Sequence, residues 1–450
     1  MDDHTLWAAR LSAATLLPDR RLNARLGAIL EDFADRPTDS IPQAAGDWGQ
    51  AKGTYRFLAN GRVTWIALGD GFARDTARLC QDREVVLAVQ DTTSLNLTPN
   101  DSIAELGPID SGGLARGLLV HTTLALTERG SVVGVLGQQC WARPEPGQPG
   151  PEEKESGKWI HGIDQARHAF YEAGDRPPRL IHVMDREGDV YDVLQWIDDV
   201  GDGAIIRCVQ DRRVEEPLRT AHAAVRGRPA LECKRLTVPR SHGRAARDAW
   251  VEVRVLATTL TPDRETYPHA WAMEWTLIEV REVDPPPGEK GLHWLLWTRE
   301  SATTPDEVWE VVRKYTRRWP IEGFHEALKS GCRIEALRLE TWERLLKAVV
   351  LYSGVAARVV SLRDRSREEP ESPATVLLSE DECAVLAARC GKGELAPVLT
   401  LRQAVLWIGR LGGHLNRKGD GLPGIRTLWR GMRDLELLVQ GFRVAKRLLE

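Results

Sequence analysis

The chain has 450 residues, with 61 Lys and Arg against 65 Asp and Glu, a formal net charge of −4, and 42% apolar and 28% charged side chains. At roughly 100–200 residues per domain this allows about two to four domains, and the composition excludes intrinsic disorder and collagen-like repeats. No uninterrupted apolar run approaches the roughly 18–20 residues of a membrane span, and the acidic start lacks the basic-then-apolar order of a secretory signal. A cytoplasmic chain without membrane association is expected. The near-neutral balance argues against a nucleic-acid enzyme on average, because phosphate binding favours basic surfaces; averages, however, hide local segments. The cysteines (Cys80, Cys140, Cys208, Cys233, Cys332, Cys383 and Cys390) make no C-x-x-C pair, which predicts reduced, buried thiols.

Residues 1–64 predict a small helical unit. Leu22, Leu26, Ile29, Leu30 and Phe33 line one helical face, Arg20, Arg21 and Arg25 stand at its start, and Pro37 and Pro42 end the segment. A second helix from Trp48 to Phe57 carries Lys52 and Arg56. These cations are either a solvated face or a DNA-docking surface.

A helix over Trp65–Cys80 precedes the apolar run Val85–Val89, a buried strand closing on Gln90-Asp91-Thr92-Thr93. Two strand-like runs, Leu118–Thr127 and Ser131–Gln138, are joined by a turn at Glu128-Arg129-Gly130. A Pro/Gly-rich loop covers Pro144–Pro151, a helix Trp159–Ala173, and a short strand Leu180–Met184 ends at Asp185. A helix Val190–Asp199 and a strand Ala204–Cys208 follow. In a mixed sheet with the fourth strand beside the first, Asp91 and Asp185 would sit side by side at one edge. That element order is the order of the ribonuclease-H-like fold.

Residues 210–300 predict an inserted antiparallel sheet, with alternation over Trp250–Val255 and Trp275–Val280. Its first part is basic: Arg219, Arg226, Arg228, Lys234, Arg235, Arg240, Arg244 and Arg247, opposed by Glu232. Thr304-Pro305-Asp306-Glu307 opens a further helix with a cap, a first-turn proline and acids at its N-terminus. Asp364–Pro373 predicts a linker. In the C-terminal helices Leu428, Met432, Leu435, Val439 and Phe442 form a seam, either an internal packing stripe or a dimer contact.

Asp91 and Asp185 are each, taken singly, most simply turn or capping residues. As neighbours they suit a divalent ion, and their hard oxygens favour Mg²⁺ or Mn²⁺ over zinc. A third acid, Glu322, follows Pro320, which fits the first turn of a helix. Glu322, His325, Glu326 and Lys329 are spaced to share one face, behind a basic approach of Arg313, Lys314, Arg317 and Arg318.

Tyr315, Arg318, Glu322 and Lys329 have the Y-(2)-R-(3)-E-(6)-K spacing that marks the insertion-sequence-4 family of bacterial DDE transposases. The chain resembles the cut-and-paste members of that family along nearly its whole length. Collinear similar blocks include Tyr55-Arg56-Phe57, Asp91-Thr92-Thr93-Ser94-Leu95, Glu153-Lys154-Glu155-Ser156-Gly157-Lys158-Trp159, Asp185-Arg186-Glu187, His293-Trp294-Leu295-Leu296 and Gly409-Arg410-Leu411-Gly412-Gly413. The resemblance implies an α/β fold: a ribonuclease-H-like mixed sheet core with an inserted antiparallel β-sheet, flanked by N- and C-terminal helical domains. The divisions would be 1–64 for DNA binding, 65–365 for catalysis with the insertion at about 210–300, and 366–450 for dimerisation.

It also implies a metal-bound catalytic triad of Asp91, Asp185 and Glu322, using Mg²⁺ with Mn²⁺ able to substitute. One ion would activate the attacking water or 3′-hydroxyl and another would stabilise the leaving oxygen. The implied reaction sequence is strand nicking, hairpin formation and resolution, and strand transfer into target DNA. The partners would be double-stranded DNA (transposon terminal repeats and target) and a second copy of the chain in a synaptic complex, in a bacterial cytoplasm at the nucleoid. Trp294 matches the family's flipped-base tryptophan, with Trp319 as a second wall, although core packing is the ordinary role of most of the 16 tryptophans. Arg207, Tyr315, Arg318 and Lys329 would hold phosphates, and Arg56 belongs to the DNA-binding head. Two departures stand out: Pro320 replaces a basic residue, and the segment near Cys390-Gly391-Lys392 is shorter and less basic. The alternative is a catalytically silent transposon-end-binding protein, an inhibitor or domesticated relic.

Overall fold

The computed structural model describes residues 3–449 apart from 101, 111, 146, 149–153, 175–176, 239–246, 290, 392–397 and 418. Glu153, Arg240, Arg244, Lys392 and part of the loop Pro144–Pro151 lie outside the described residues. The chain begins with helices α1 (Asp3–Ala14), α2 (Arg20–Asp35), α3 (Ile41–Ala45), α4 (Trp48–Leu58) and α5 (Trp65–Leu79). Asp19 caps α2 by accepting from the Arg21 N–H, and Leu26, Ile29, Leu30 and Phe33 are buried as their spacing predicts. Pro42 does not end a helix; it lies in the first turn of α3, where its missing N–H costs nothing. α4 buries Ala51, Thr54, Phe57 and Leu58 and turns Trp48, Lys52, Tyr55 and Arg56 outward.

Next come β1 (Val85–Asn96), β2 (Gly107–Pro108), β3 (Arg116–Leu126), β4 (Val132–Trp141), α6 (Gly157–Ala173), β5 (Arg179–Met184), α7 (Tyr191–Val200) and β6 (Gly203–Arg207). β1, β3 and β4 are antiparallel, whereas β5 lies parallel beside β1 and β6 parallel beside β5. The spatial order is therefore β4-β3-β1-β5-β6. β1 is longer than its apolar run. It pairs with β5 from Val85 to Val89 but with β3 from Leu87 to Asn96. Asp91 is thus mid-strand rather than strand-terminal, just beyond the last β5 partner, where one side of the ladder opens.

The following segment holds α8 (Ala221–Arg226), β7 (Glu232–Val238), β8 (Arg247–Leu260), β9 (Met273–Val283) and β10 (His293–Thr298). The antiparallel strands expected there form, yet they are not a separate sheet. β10 pairs with β6, and β9, β8 and β7 continue outward, making one ten-stranded mixed sheet.

The remainder is helical: α9 (Pro305–Thr316), α10 (Pro320–Glu326), a π-helical turn at Ala327–Gly331, α11 (Trp342–Glu368), α12 (Glu380–Cys390), α13 (Leu401–Leu411) and α14 (Ile425–Leu449). α9 opens with the capping box of Thr304 and Glu307. α11 revises two expectations. It is long and apolar enough, by length and composition, to cross a membrane, but its apolar stretch is buried in the protein. It also stays helical to Glu368, so the linker expected from Asp364 begins later. Asp364 is buried, with one carboxylate oxygen held by the Arg363 guanidinium at 2.8 Å and the other without a hydrogen-bond partner, and burial pushes its carboxyl up while Arg363 opposes. The seam on α14 is internal packing through Val439, whereas Phe442 is 38% exposed along with Leu437, Leu438, Val444, Leu448 and Leu449.

Polar contacts tie the first helices to the last. Arg443 on α14 bridges Asp35 on α2 (2.7 Å) and Asp381 on α12 (2.8 Å), and His4 on α1 meets Glu382 at 3.2 Å. The Thr38 hydroxyl and N–H donate to Glu436 at 2.6 and 3.2 Å. Burial pushes the Glu436 carboxyl up to about 8, with Asp39 and Glu382 adding to the shift. Between its ordinary value of 4.5 and about 8, the folded state holds a proton that the unfolded state releases. Stability from this group is therefore present at low pH and lost as pH rises through that window. Glu436→Gln, which keeps the shape without the titration, should raise the thermal midpoint above that of the wild type at pH 8 and do so less at pH 5.

Candidate active site

Asp91, Asp185 and Glu322 arrive from β1, the end of β5 and the first turn of α10. The β1–β5 register, Val89 opposite Val183, brings Asp91 level with Asp185 when carried two residues on. Asp91 accepts from the Thr92 N–H at 2.9 Å. Asp185 caps a 3-10 turn over Arg186–Gly188, accepting from the Glu187 N–H at 2.9 Å, so its capping role is real. Pro320 starts α10 and sets Glu322 at its exposed edge. Burial pushes the Asp91 carboxyl up to about 6; Arg318 opposes this, while the carboxylates of Asp185 and Glu322 reinforce it. Asp91 thus feels both other acids across one small region.

Arg318 stands between two of them, with Nη1 3.2 Å from Asp91 Oδ2 and Nη2 2.5 Å from Glu322 Oε1. As oxygen donors the three acids fit a hard divalent ion, and the mutual repulsion felt at Asp91 is what such an ion would relieve. As they stand, no three His, Cys, Asp or Glu side chains among the described residues are gathered closely enough to hold one.

Glu322, His325 and Glu326 keep the expected i, i+3, i+4 spacing on α10, but Lys329 does not. His325 is buried, Glu326 pairs with Arg426 on α14, and Lys329 lies in the π-helical turn, whose wider register takes it off the α-helical row. Burial pushes the Lys329 ammonium down, with Glu335 opposing.

Beside the acids is an aromatic wall. Trp294 on β10 meets Tyr315 on α9 at 5.5 Å between ring centroids, edge to face, and Trp319 at 6.1 Å. The Arg207 guanidinium lies 5.8 Å from the Trp294 ring and donates to the His293 carbonyl at 2.6 Å. Trp294 is half-buried and packs against the hydrophobic core, whereas Trp319 is 42% exposed; Trp159, Trp297 and Trp309 are fully buried. Much of the basic lead-in is internally satisfied: Arg313 pairs with Glu310 at 2.7 Å and Lys314 with Glu128 at 3.2 Å. The insert behaves likewise, with Arg228 on Glu216, Arg235 on Asp248 and Arg247 on Glu282. In the head, Arg20, Lys52 and Arg56 remain exposed.

Sequence reasoning missed two residues beside the acids. His121 on β3 is fully buried and joins Thr92 Oγ1 at 2.9 Å and Gln90 Oε1 at 3.0 Å, the two residues that flank Asp91 in sequence and face the other side of β1. Its signal was a histidine inside the strand-like run Leu118–Thr127. Lys158 on α6 reaches Glu187 at 3.1 Å, two residues past Asp185, over the rings of Trp141 and Trp159.

Comparison with known proteins adds matches at both ends. The transposase DNA-binding family matches residues 4–63, and the transposase Tn5 dimerisation domain matches residues 354–450. Among solved structures, the chain is similar to a piggyBac transposase determined by cryo-EM in a synaptic complex with hairpin DNA, at 10% identity and a TM-score of 0.36. That likeness covers 84% of this chain and 57% of the other. Both flanking regions are thus matched by transposase families, and these matches support a Tn5-like transposase.

Proposed function

We propose that the chain is an active DDE transposase that excises a mobile element by metal-dependent nicking, hairpin formation and resolution, and transfers it into target DNA. The observation that supports this reading is the approach of three acids more than 90 positions apart in sequence: the β1–β5 register runs Asp91 level with Asp185, and one guanidinium, Arg318, reaches both Asp91 and Glu322. Asp91, Asp185 and Glu322 would hold divalent metal, Mg²⁺ or Mn²⁺, which when bound supplies an activated water or 3′-hydroxyl and stabilises the leaving oxygen. The strand order β4-β3-β1-β5-β6 supports a ribonuclease-H-like core, with the insert as an extension of its sheet.

The chain's own groups do the positioning. Arg207 and Arg318 offer guanidinium forks to phosphates, which they match in a bidentate way; Tyr315 stands beside Trp294, and Lys329, in the π-helical turn, would add a further phosphate contact. Trp294 and Trp319 would wall in the base that must leave the stack when the hairpin bends. The outward face of α4, with Trp48, Lys52, Tyr55 and Arg56, suits the terminal repeat, and the exposed apolar end of α14 suits a second copy of the chain.

Trp294→Ala should leave first-strand nicking intact and slow hairpin formation about 10-fold or more, in keeping with the ~1–3 kcal/mol of a base–aromatic stack. Single-turnover assays on terminal-repeat DNA separate the two steps. Equal loss of both would remove Trp294 from the base-flipping role.

A further inference from the structure

One guanidinium occupies the space between two acids from different elements. Arg318 leads into α10, yet it reaches Asp91 on β1 as well as Glu322 one helical turn on, and its side chain is only 15% exposed. Asp185 also contributes to its electrostatic surroundings. Two acids bridged in this way already have a cation, so a divalent ion must compete with a charge tethered to the chain. The gathered donor set that an ion needs is not formed while the bridge stands.

A guanidinium has a second class of partner. It matches the fork of a phosphate as well as that of a carboxylate, and its surroundings favour the exchange. Arg207 and Tyr315 flank the Trp294 ring, and Tyr315 lies close enough to Arg318 to act on its charge, so a strand lying there would bring phosphate oxygens to Arg318. Moving the guanidinium to phosphate leaves the carboxylates uncompensated, which is unfavourable in a part-buried site unless another cation arrives.

Building on the transposase reading above, we propose that Arg318 is a tethered stand-in cation: it bridges Asp91 and Glu322 in the DNA-free protein and is traded for divalent metal when DNA phosphate draws it away. Arg318 is then a positioning residue that makes metal loading depend on DNA. The device would guard against cleavage by the unassembled protein, since metal and DNA each favour the arrival of the other.

The test is Mn²⁺ affinity of the full chain, measured by calorimetry or by the loss of the free-ion spin-resonance signal, with and without a pre-cleaved terminal-repeat duplex. For the wild type, DNA should tighten Mn²⁺ binding about 10-fold, within the usual range of coupling between linked sites. Arg318→Gln should bind Mn²⁺ about 10-fold tighter than the wild type without DNA and gain little when DNA is added. Arg318→Lys keeps the charge but cannot span both acids, so it should shift in the same direction. A Lys variant identical to wild type beside a tightened Gln variant would reduce the effect to general charge and overturn the bridge. Thermal midpoints confirm that each variant is folded. Asp185→Asn separates the two ideas: if it leaves Mn²⁺ binding intact, the triad reading fails. If it abolishes binding while both Arg318 variants match the wild type, the reading stands and the Arg318 proposal falls.

Discussion

Glu322→Gln should lower metal-dependent cleavage of the element's ends about 10³-fold, because losing one oxygen ligand removes several kcal/mol of charge stabilisation at ~1.4 kcal/mol per factor of ten. Binding to the same ends should be unchanged, since α4 and the other exposed cations of the head lie elsewhere in the chain. The substitution is clean. The Glu322 side chain is 55% exposed and lies in the first turn of α10, so folding should be disturbed by no more than about 0.5 kcal/mol. Asp91→Asn and Asp185→Asn should cost a similar factor, and pairs of substitutions little more than either alone, because the three act as a unit. Cleavage assays in Mg²⁺ and Mn²⁺, with gel-shift measurements on the same DNA, decide the matter. A wild-type protein that binds ends but never cuts them would favour the silent end-binding alternative; unchanged cleavage by Glu322→Gln would remove the acid from the chemistry.

Much of this site was legible from local signals. Apolar runs ending in Asp91 and Asp185 are recognisable because buried strands tolerate few polar residues, and Thr304-Pro305-Asp306-Glu307 announces a helix start by its capping chemistry alone. What was not legible depends on partners distant in sequence. The extension of β1 past Val89 is held by β3 rather than by its own residues, which are polar at Gln90 to Thr93. Asp364 looked like linker until Arg363 and burial in the helical core made it part of α11. The basic runs read as a DNA-facing surface, but acids neutralise them, some nearby, such as Glu310 and Glu216, and some well outside the run, such as Glu282 and Glu128. Charge density in a sequence window measures supply; exposure decides what is displayed. On α10 the expected shared face is interrupted only at Lys329. A π-helical turn breaks the 3.6-residue spacing, and no residue pattern in Ala327–Gly331 signals it.

That π-helical turn leads to the largest stability effect, Gly431→Ala on α14. A Cβ there would overlap the Ile408 carbonyl on α13, and one on Gly412 would overlap the Thr427 carbonyl on α14, so the two helices meet backbone to backbone through paired glycines. Neither carbonyl is the end of a flexible side chain, so the helices must part, at a cost of about 3 kcal/mol or more. The consequence should reach the acids, because the same helix buttresses them. The Trp429 ring packs where a Cβ on Gly331 would stand, at the end of the π-helical turn, and Arg426 pairs with Glu326 on α10. Separating α13 from α14 therefore loosens the element that carries Glu322. It also disturbs the helix whose exposed apolar end is proposed to meet a second copy. Gly431→Ala should lower the thermal midpoint, weaken self-association measured by sedimentation, and reduce cleavage together. If the midpoint falls but cleavage per folded molecule is kept, α14 braces the C-terminal region and not the catalytic helix. If the midpoint itself is unchanged, the helices can separate without cost and the close crossing is not what holds them.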